Sequence, residues 1–149
     1  MTTPSPAPAR FNDRQIRWRP FGDMPHFQFA ILDIDAGRGI AEVLFRFEAG
    51  QRIVPHRHLA LNHTFVIQGE HHLYEMDGAR REIRPTGSYT VSPASDVPHR
   101  EGGGPDQDAV VLFSMRPEPG QKLYEILADD GTVIADITLE TLLALQAAG

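Results

Sequence analysis

The chain contains no cysteine and a single lysine, Lys122, among its 149 residues. Without Cys there can be no disulfide, no thiolate zinc site, no iron–sulfur cluster and no thiol nucleophile. Any metal must be held by imidazole, carboxylate or carbonyl groups. No apolar run approaches the ~18 residues that a membrane helix needs. The opening MTTPSPAPARF lacks the basic and apolar regions of a secretory signal, so the cytoplasm is the expected location. Positive charge is also in deficit, with 14 Lys+Arg against 20 Asp+Glu and a net charge of −6. That balance argues against general binding of nucleic acid through its phosphates. The local cluster Arg10, Arg14, Arg17 and Arg19 reads as a solvated, partly salt-bridged strand.

What is present is punctuation and histidine. The 13 glycines, 12 prolines and seven histidines are many for this length. The length suits one domain with a real core. Residues 1–10, with alternating prolines, are expected to form a disordered tail, and 11–149 a single domain. Short β segments follow from Gln15 to Met115. Gln15–Arg19 alternates, Phe27–Ile34 is mostly apolar, and Ile40–Glu48 sets Val43, Phe45 and Phe47 against Glu42, Arg46 and Glu48, with Leu44 out of pattern. Further strands are expected at Thr64–Gln68, His71–Met76, Ala79–Arg84 and Ser88–Ser92. Ala109–Met115 reads as a central strand. Turns at Gly69-Glu70, Asp77-Gly78 and Asp129-Asp130-Gly131 suggest hairpins, the last joining Lys122–Leu127 to Thr132–Ile137. Thr138 can cap a terminal helix carrying Leu139, Leu142, Leu143 and Ala147. Strands about ten residues apart, with turn signals between them, indicate an antiparallel sandwich or small barrel.

The segment from Gly50 to Gly69 holds His56 and His58, two residues apart after Pro55. On an extended backbone both rings point to one face. A third histidine, His99, ends the order glycine, strand, proline turn, histidine that runs from Gly87 through Pro93. A barrel can bring this turn beside the first one, since neighbouring strands are only about 4.8 Å apart. Three histidines on rigid strands then occupy one face of an octahedral metal and leave the other positions open.

These residues resemble the two motifs of the cupin superfamily. The first, G-x5-H-x-H-x3-4-E-x6-G, is matched by Gly50, His56, His58 and Gly69. The second, G-x5-P-x-G-x2-H-x3-N, is matched in part by Gly87, Pro93 and His99. The resemblance implies an all-β, jelly-roll cupin with a short C-terminal helix. The motif glutamate falls on Asn62 or His63, so the usual carboxylate is missing at its position. In this the chain resembles the three-histidine cupins of the 2,4'-dihydroxyacetophenone dioxygenase and acetylacetone dioxygenase group. The resemblance implies His56, His58 and His99 as ligands of a divalent metal, Fe(II) before Zn, Ni or Mn. His63, with Asn62, is then a residue supporting the site or a fourth ligand.

Three neutral imidazoles would leave Fe(II) its formal +2 charge, which favours an anionic, bidentate enolate. The implied partners are a small enolisable dicarbonyl or hydroxyketone and O₂, and the implied reaction is C–C cleavage. A non-catalytic metal- or ligand-binding sensor module, like the cupin domain of some anti-sigma factors, is the competing expectation, with a metal-dependent isomerase or hydrolase third. Family habit and the apolar C-terminal helix suggest a homodimer. Phe45, Phe47, Tyr74, Tyr89 and Phe113 are candidate pocket aromatics, and Glu75 and Arg46 candidate inward polar groups. His71 and His72, being adjacent, should face opposite sides of a strand and are expected to be exposed. His26 is expected to be structural. Arg100–Asp108, with its three consecutive glycines, reads as a lid or a flexible loop.

Overall fold

The computed structural model describes residues 9–149. The expected disordered tail falls mostly on residues 1–8, outside the described residues. The strands are β1 (Arg19–Pro20), β2 (Phe27–Asp35), β3 (Ile40–Phe47), β4 (His56–His58), β5 (Leu61–Gln68) and β6 (His71–Tyr74). They continue with β7 (Arg80–Arg84), β8 (Tyr89–Ser92), β9 (Arg100–Gly103), β10 (Ala109–Arg116), β11 (Tyr124–Leu127) and β12 (Val133–Ile137), followed by helix α1 (Leu139–Ala148).

Six strands form one sheet in the order β1-β2-β3-β10-β5-β8. Two three-stranded sheets, β12-β11-β4 and β7-β6-β9, make up the opposite layer. The isolated bridge His56↔His99 links β4 to the residue before β9 and so joins the two small sheets, while Arg52↔Gly102 ties the segment before β4 to β9. Every named pairing is antiparallel. The jelly-roll type of β-sandwich is therefore as the sequence implied.

Alternation explains the main sheet. On β3, Val43, Phe45 and Phe47 point inward and are buried with Phe29, Val111 and Phe113. Leu44, out of pattern in the sequence, is buried too, but on the outer face. It packs with Ala30 and Val110 beneath Phe11, Ile16 and Trp18. That face is covered by the N-terminal segment, so it also needs an apolar residue. Arg46 lies on this outer face, over the Trp18 ring and 3.0 Å from Asp108, and not inside the barrel. The run Ala109–Met115 is central as expected, since β10 pairs with both β3 and β5.

Asp77-Gly78 and Asp129-Asp130-Gly131 close hairpins β6–β7 and β11–β12. Gly69-Glu70 does not, because β5 and β6 belong to different layers. Gly69 turns the corner with φ of 70°, and a Cβ there would meet the Asp108 carbonyl oxygen at 2.7 Å. Gln15–Arg19 forms no strand beyond its last residue. Ile16 and Trp18 serve as apolar cover for the sheet instead of pairing with it.

Thr138 caps α1 by accepting from the Thr141 backbone N–H, and the Thr141 hydroxyl completes a reciprocal capping pair. Its packed residues are Leu139, Leu142 and Leu145, where Leu143 and Ala147 were expected alongside the first two. Arg100–Gly103 is a strand paired with β6, not a loop. Gly102 is required by close approach, since any Cβ would overlap the Gln51 carbonyl oxygen. The glycine run thus marks tight packing of backbone on backbone, not flexibility.

Candidate metal centre

The two histidine segments meet through backbone first. His56 N–H donates to the His99 carbonyl at 3.0 Å, and His99 N–H returns the bond to His56 at 3.0 Å. This reciprocal bridge sets β4 beside the entry to β9. Since His56 and His58 are two apart on a strand, both rings reach the same side. The same rule carries His99 and Glu101 to that side from β9. Ligand atoms of His56, His58, His99 and Glu101 all lie within 4.8 Å of one another.

Hydrogen bonds behind the rings fix their orientation. His56 Nδ1 lies 3.0 Å from the Val54 carbonyl oxygen, which can only accept, so the proton sits on Nδ1. A neutral His56 therefore presents a bare Nε2 to the cluster. That Nε2 is 3.1 Å from His58 Nε2 and is also in contact with Glu101 Oε2. His58 Nε2 is 3.1 Å from the same carboxylate oxygen. His99 Nε2 is buried without a hydrogen-bond partner, 3.5 Å from Glu101 Oε2. Lone pairs are gathered here with too few protons between them, and a cation resolves that arrangement. Two donors about 2.1 Å from one metal and at right angles to each other stand about 3 Å apart, close to the spacing found. The donor set thus fits a divalent transition metal with nitrogen and oxygen ligands.

Packing holds the set rigid. The His58 ring stands edge-on to Tyr124, with centroids 4.9 Å apart, and is stacked over Phe113. Burial pushes His58 down to about 4, against the pull of Glu101 in the other direction. Burial likewise lowers His99. Both shifts favour the neutral ring, the state in which imidazole ligates. Burial alone would raise the Glu101 carboxyl, but attraction to His58 and His56, whenever those rings carry the extra proton, holds it well below the usual carboxylate range. The site therefore has one anionic donor.

Beside the three expected imidazoles the structure places a carboxylate, Glu101. With this carboxylate included, a divalent metal would carry a formal +1, not +2. The signal was in the sequence: His99-Arg100-Glu101 repeats the two-residue spacing of His56 and His58. Reading Arg100–Asp108 as a loop hid it. His71 was missed as well. It is wholly buried, stacked on Phe47, and its Nε2–H donates to Glu101 Oε1 at 2.7 Å. His72 is buried too, between Glu70 and Tyr74, so neither histidine is the exposed strand residue expected. His26 stays apart from the site, paired with Glu48 at 2.7 Å.

The structure separates Asn62 from His63. Asn62 faces inward and is buried, with its Oδ1 unpartnered. His63 faces the other side of β5 and meets the Tyr89 hydroxyl at 2.5 Å. It lies outside the cluster, whose fourth member is Glu101. Tyr89 is 61% exposed on the outer face and lines no pocket at the site. Tyr74 packs under the Arg52 guanidinium, also away from the cluster. Glu75 is half-exposed and 3.9 Å from Arg81.

Phe45, Phe47 and Phe113 do adjoin the cluster. They line a cavity of about 30 Å³ on one side of it, together with Phe27, Tyr124 and Ile126. A second cavity, of about 200 Å³, includes Asn62, Thr64, Arg81, Arg84 and Ser92 in its walls. His58, Glu101 and Phe113 border both spaces.

The family model for the ChrR cupin-like domain matches residues 7–117. The chain belongs to this cupin family. An RmlC-like cupin from Ralstonia eutropha is similar in fold, with 19% identity, a TM-score of 0.73, and coverage of 95% of this chain and 85% of that one. An acetylacetone dioxygenase from Acinetobacter johnsonii is similar over 99% of this chain and 95% of its own, with 15% identity and a TM-score of 0.69. The polyketide cyclase RemF from Streptomyces resistomycificus follows at 21% identity and a TM-score of 0.57, over 76% of this chain and 82% of its own. These likenesses establish the cupin fold. No curated protein matches the chain. Among the described residues, no helix of this cupin is long and apolar enough to cross a membrane.

Proposed function

We propose that this cupin is a metal-dependent dioxygenase, with Fe(II) as the metal, that cleaves a C–C bond in a small enolisable dicarbonyl or hydroxyketone. The observation that carries the reading is the His56–His58–His99–Glu101 set, with His56 and Glu101 buried, which borders both an apolar cavity and a polar one. A divalent metal held there would supply a centre at which an enolisable carbonyl and O₂ are brought together. The chain's own residues then do the positioning. The three imidazoles and Glu101 hold one side, and His71 fixes the Glu101 carboxylate by its hydrogen bond. Phe45, Phe47, Phe113 and Tyr124 exclude water and offer an apolar space of the scale of a diatomic gas. The wider cavity receives the organic substrate, with Asn62 and Thr64 facing it.

The likeness in fold to an acetylacetone dioxygenase is consistent with this reading. O₂ uptake by Fe(II)-loaded protein, tested with β-diketones and hydroxyacetophenones, checks it. Consumption of O₂ coupled to substrate cleavage supports the proposal, and absence of turnover across the panel overturns it.

The family match favours one further reading, a non-catalytic sensor module that binds metal or a small ligand. It expects the same metal affinity without O₂ uptake, and the same experiment separates the two. On either reading the site sits within a chain expected to work in the cytoplasm, and a homodimer would appear at twice the chain mass in light scattering.

A further inference from the structure

The wider cavity carries more positive charge than a neutral carbonyl compound needs. Two arginines of β7, Arg81 and Arg84, stand in its wall, while Glu101 is the one carboxylate there. Arg84 is only 12% exposed. Its guanidinium is fixed by Glu82, through Nε to Oε1 at 3.0 Å and Nη2 to Oε2 at 3.2 Å. Glu82 itself is not in the wall. Arg81 is tied less firmly, 3.9 Å from Glu75.

A metal at the centre would add to this charge. Asn62, 3% exposed, brings an amide whose Oδ1 has no partner. Turned about its last bond, the same amide presents its NH₂ to the cavity. A buried polar group left unpaired is unfavourable, so a bound polar ligand would relieve it. Ser92 and Ser95 supply further hydroxyls along the wall.

We infer that this cavity recognises a carboxylate, and that the substrate is a keto acid whose enolisable carbonyl lies at the metal centre while its carboxylate pairs with Arg81 and Arg84. Planar guanidinium groups match a carboxylate in shape and charge. The inference rests on the reading of this site as one that binds a carbonyl substrate, but it does not require turnover.

Acetylpyruvate and acetylacetone make a paired probe, because they differ by a carboxylate in place of one methyl group. Binding of each to Zn(II)-loaded protein is measured by calorimetry at low and at moderate salt, without oxygen chemistry. Acetylpyruvate should bind about tenfold or more tightly, the scale of one charge-assisted hydrogen bond, and the ratio should shrink as salt rises. Arg84→Gln and Arg81→Gln should each lower the ratio of the two affinities toward one. The Arg81 change, at a half-exposed position, serves as the second variant should loss of the Arg84–Glu82 pair disturb folding. Equal binding of the two probes, no binding of acetylpyruvate, or an unchanged ratio in folded variants would overturn the inference. O₂ uptake by the Fe(II)-loaded protein separates the two readings. A persistent preference for acetylpyruvate without uptake sinks the dioxygenase alone, and uptake with acetylacetone but no preference sinks the keto acid alone.

Discussion

The two cavities that flank the metal centre are built from opposite chemistry. The smaller, about 30 Å³, is walled by aromatic and aliphatic side chains from the inner face of the main sheet, Phe21 and β11. The larger, about 200 Å³, takes arginines from β7, an amide from β5 and serines from β8 and the segment after it. The difference follows from position. Residues facing the middle of the sandwich are sealed between two layers and must be apolar. Residues near the β5–β8 and β7 margins meet solvent and can keep charge. The cluster His56–His58–His99–Glu101 contributes to the walls of both cavities, so a bound ion would be reached from an apolar space and from a polar one. Such an arrangement suits a reaction between an apolar gas and an ionic organic molecule.

The aromatic side should be the more sensitive in stability. Phe113 is 1% exposed and stands edge-on to Phe45 at 4.7 Å. Phe113→Ala should cost about 3–5 kcal/mol, read as a lowered midpoint in chemical denaturation, because a large void opens in a packed core. A loss under about 1 kcal/mol would mean that the cavity wall is not the continuous core described here. The effect next in size belongs to the cluster itself. Glu101→Gln keeps the shape and removes the charge, and should weaken metal binding by more than about 100-fold in competition with a chromogenic chelator. That exceeds the range for loss of a hydrogen bond behind a ligand.

His71→Phe tests that outer bond, since Phe retains the stack on Phe47 and removes the donor to Glu101. Metal affinity should fall by about 10–100-fold, less than for Glu101→Gln. Equal losses would indicate that Glu101 acts through folding alone. The smallest expected effect is at His63, which faces Tyr89 outside the barrel. His63→Ala should leave metal content unchanged by elemental analysis, and loss of metal would return His63 to the ligand set.

Much of the fold could be read from local pattern. Alternation gave β3 its inner face, the Asp-Gly turns gave two hairpins, and Thr138 gave the start of α1. Each depends on residues close in sequence. Leu44 stood outside the alternation without explanation, and Gly69-Glu70 and the glycines after Glu101 depart from expectation, because their meaning depends on partners far along the chain. Leu44 answers to Trp18 and Phe11, Gly69 to Asp108, and Gly102 to Gln51.

The site divides in the same way. His56 and His58 announced themselves by spacing, and His99 by its place in a degenerate motif. Glu101 obeys the same alternation but was obscured by the glycines that let its strand pack closely. Seeking the carboxylate only at its usual motif position then led to an all-imidazole set. His71 carried no signal of its own, since its role comes from the antiparallel pairing of β6 with β9.

The claim on which the rest depends is that these four side chains together hold one divalent metal. Elemental analysis of protein purified without oxygen or chelator, beside folded His58→Ala, tests it most directly. The wild type should carry about one transition-metal ion per chain and the variant near none. A folded wild type that takes up no metal even when metal is supplied, or a His58→Ala variant that keeps its full complement, would contradict it.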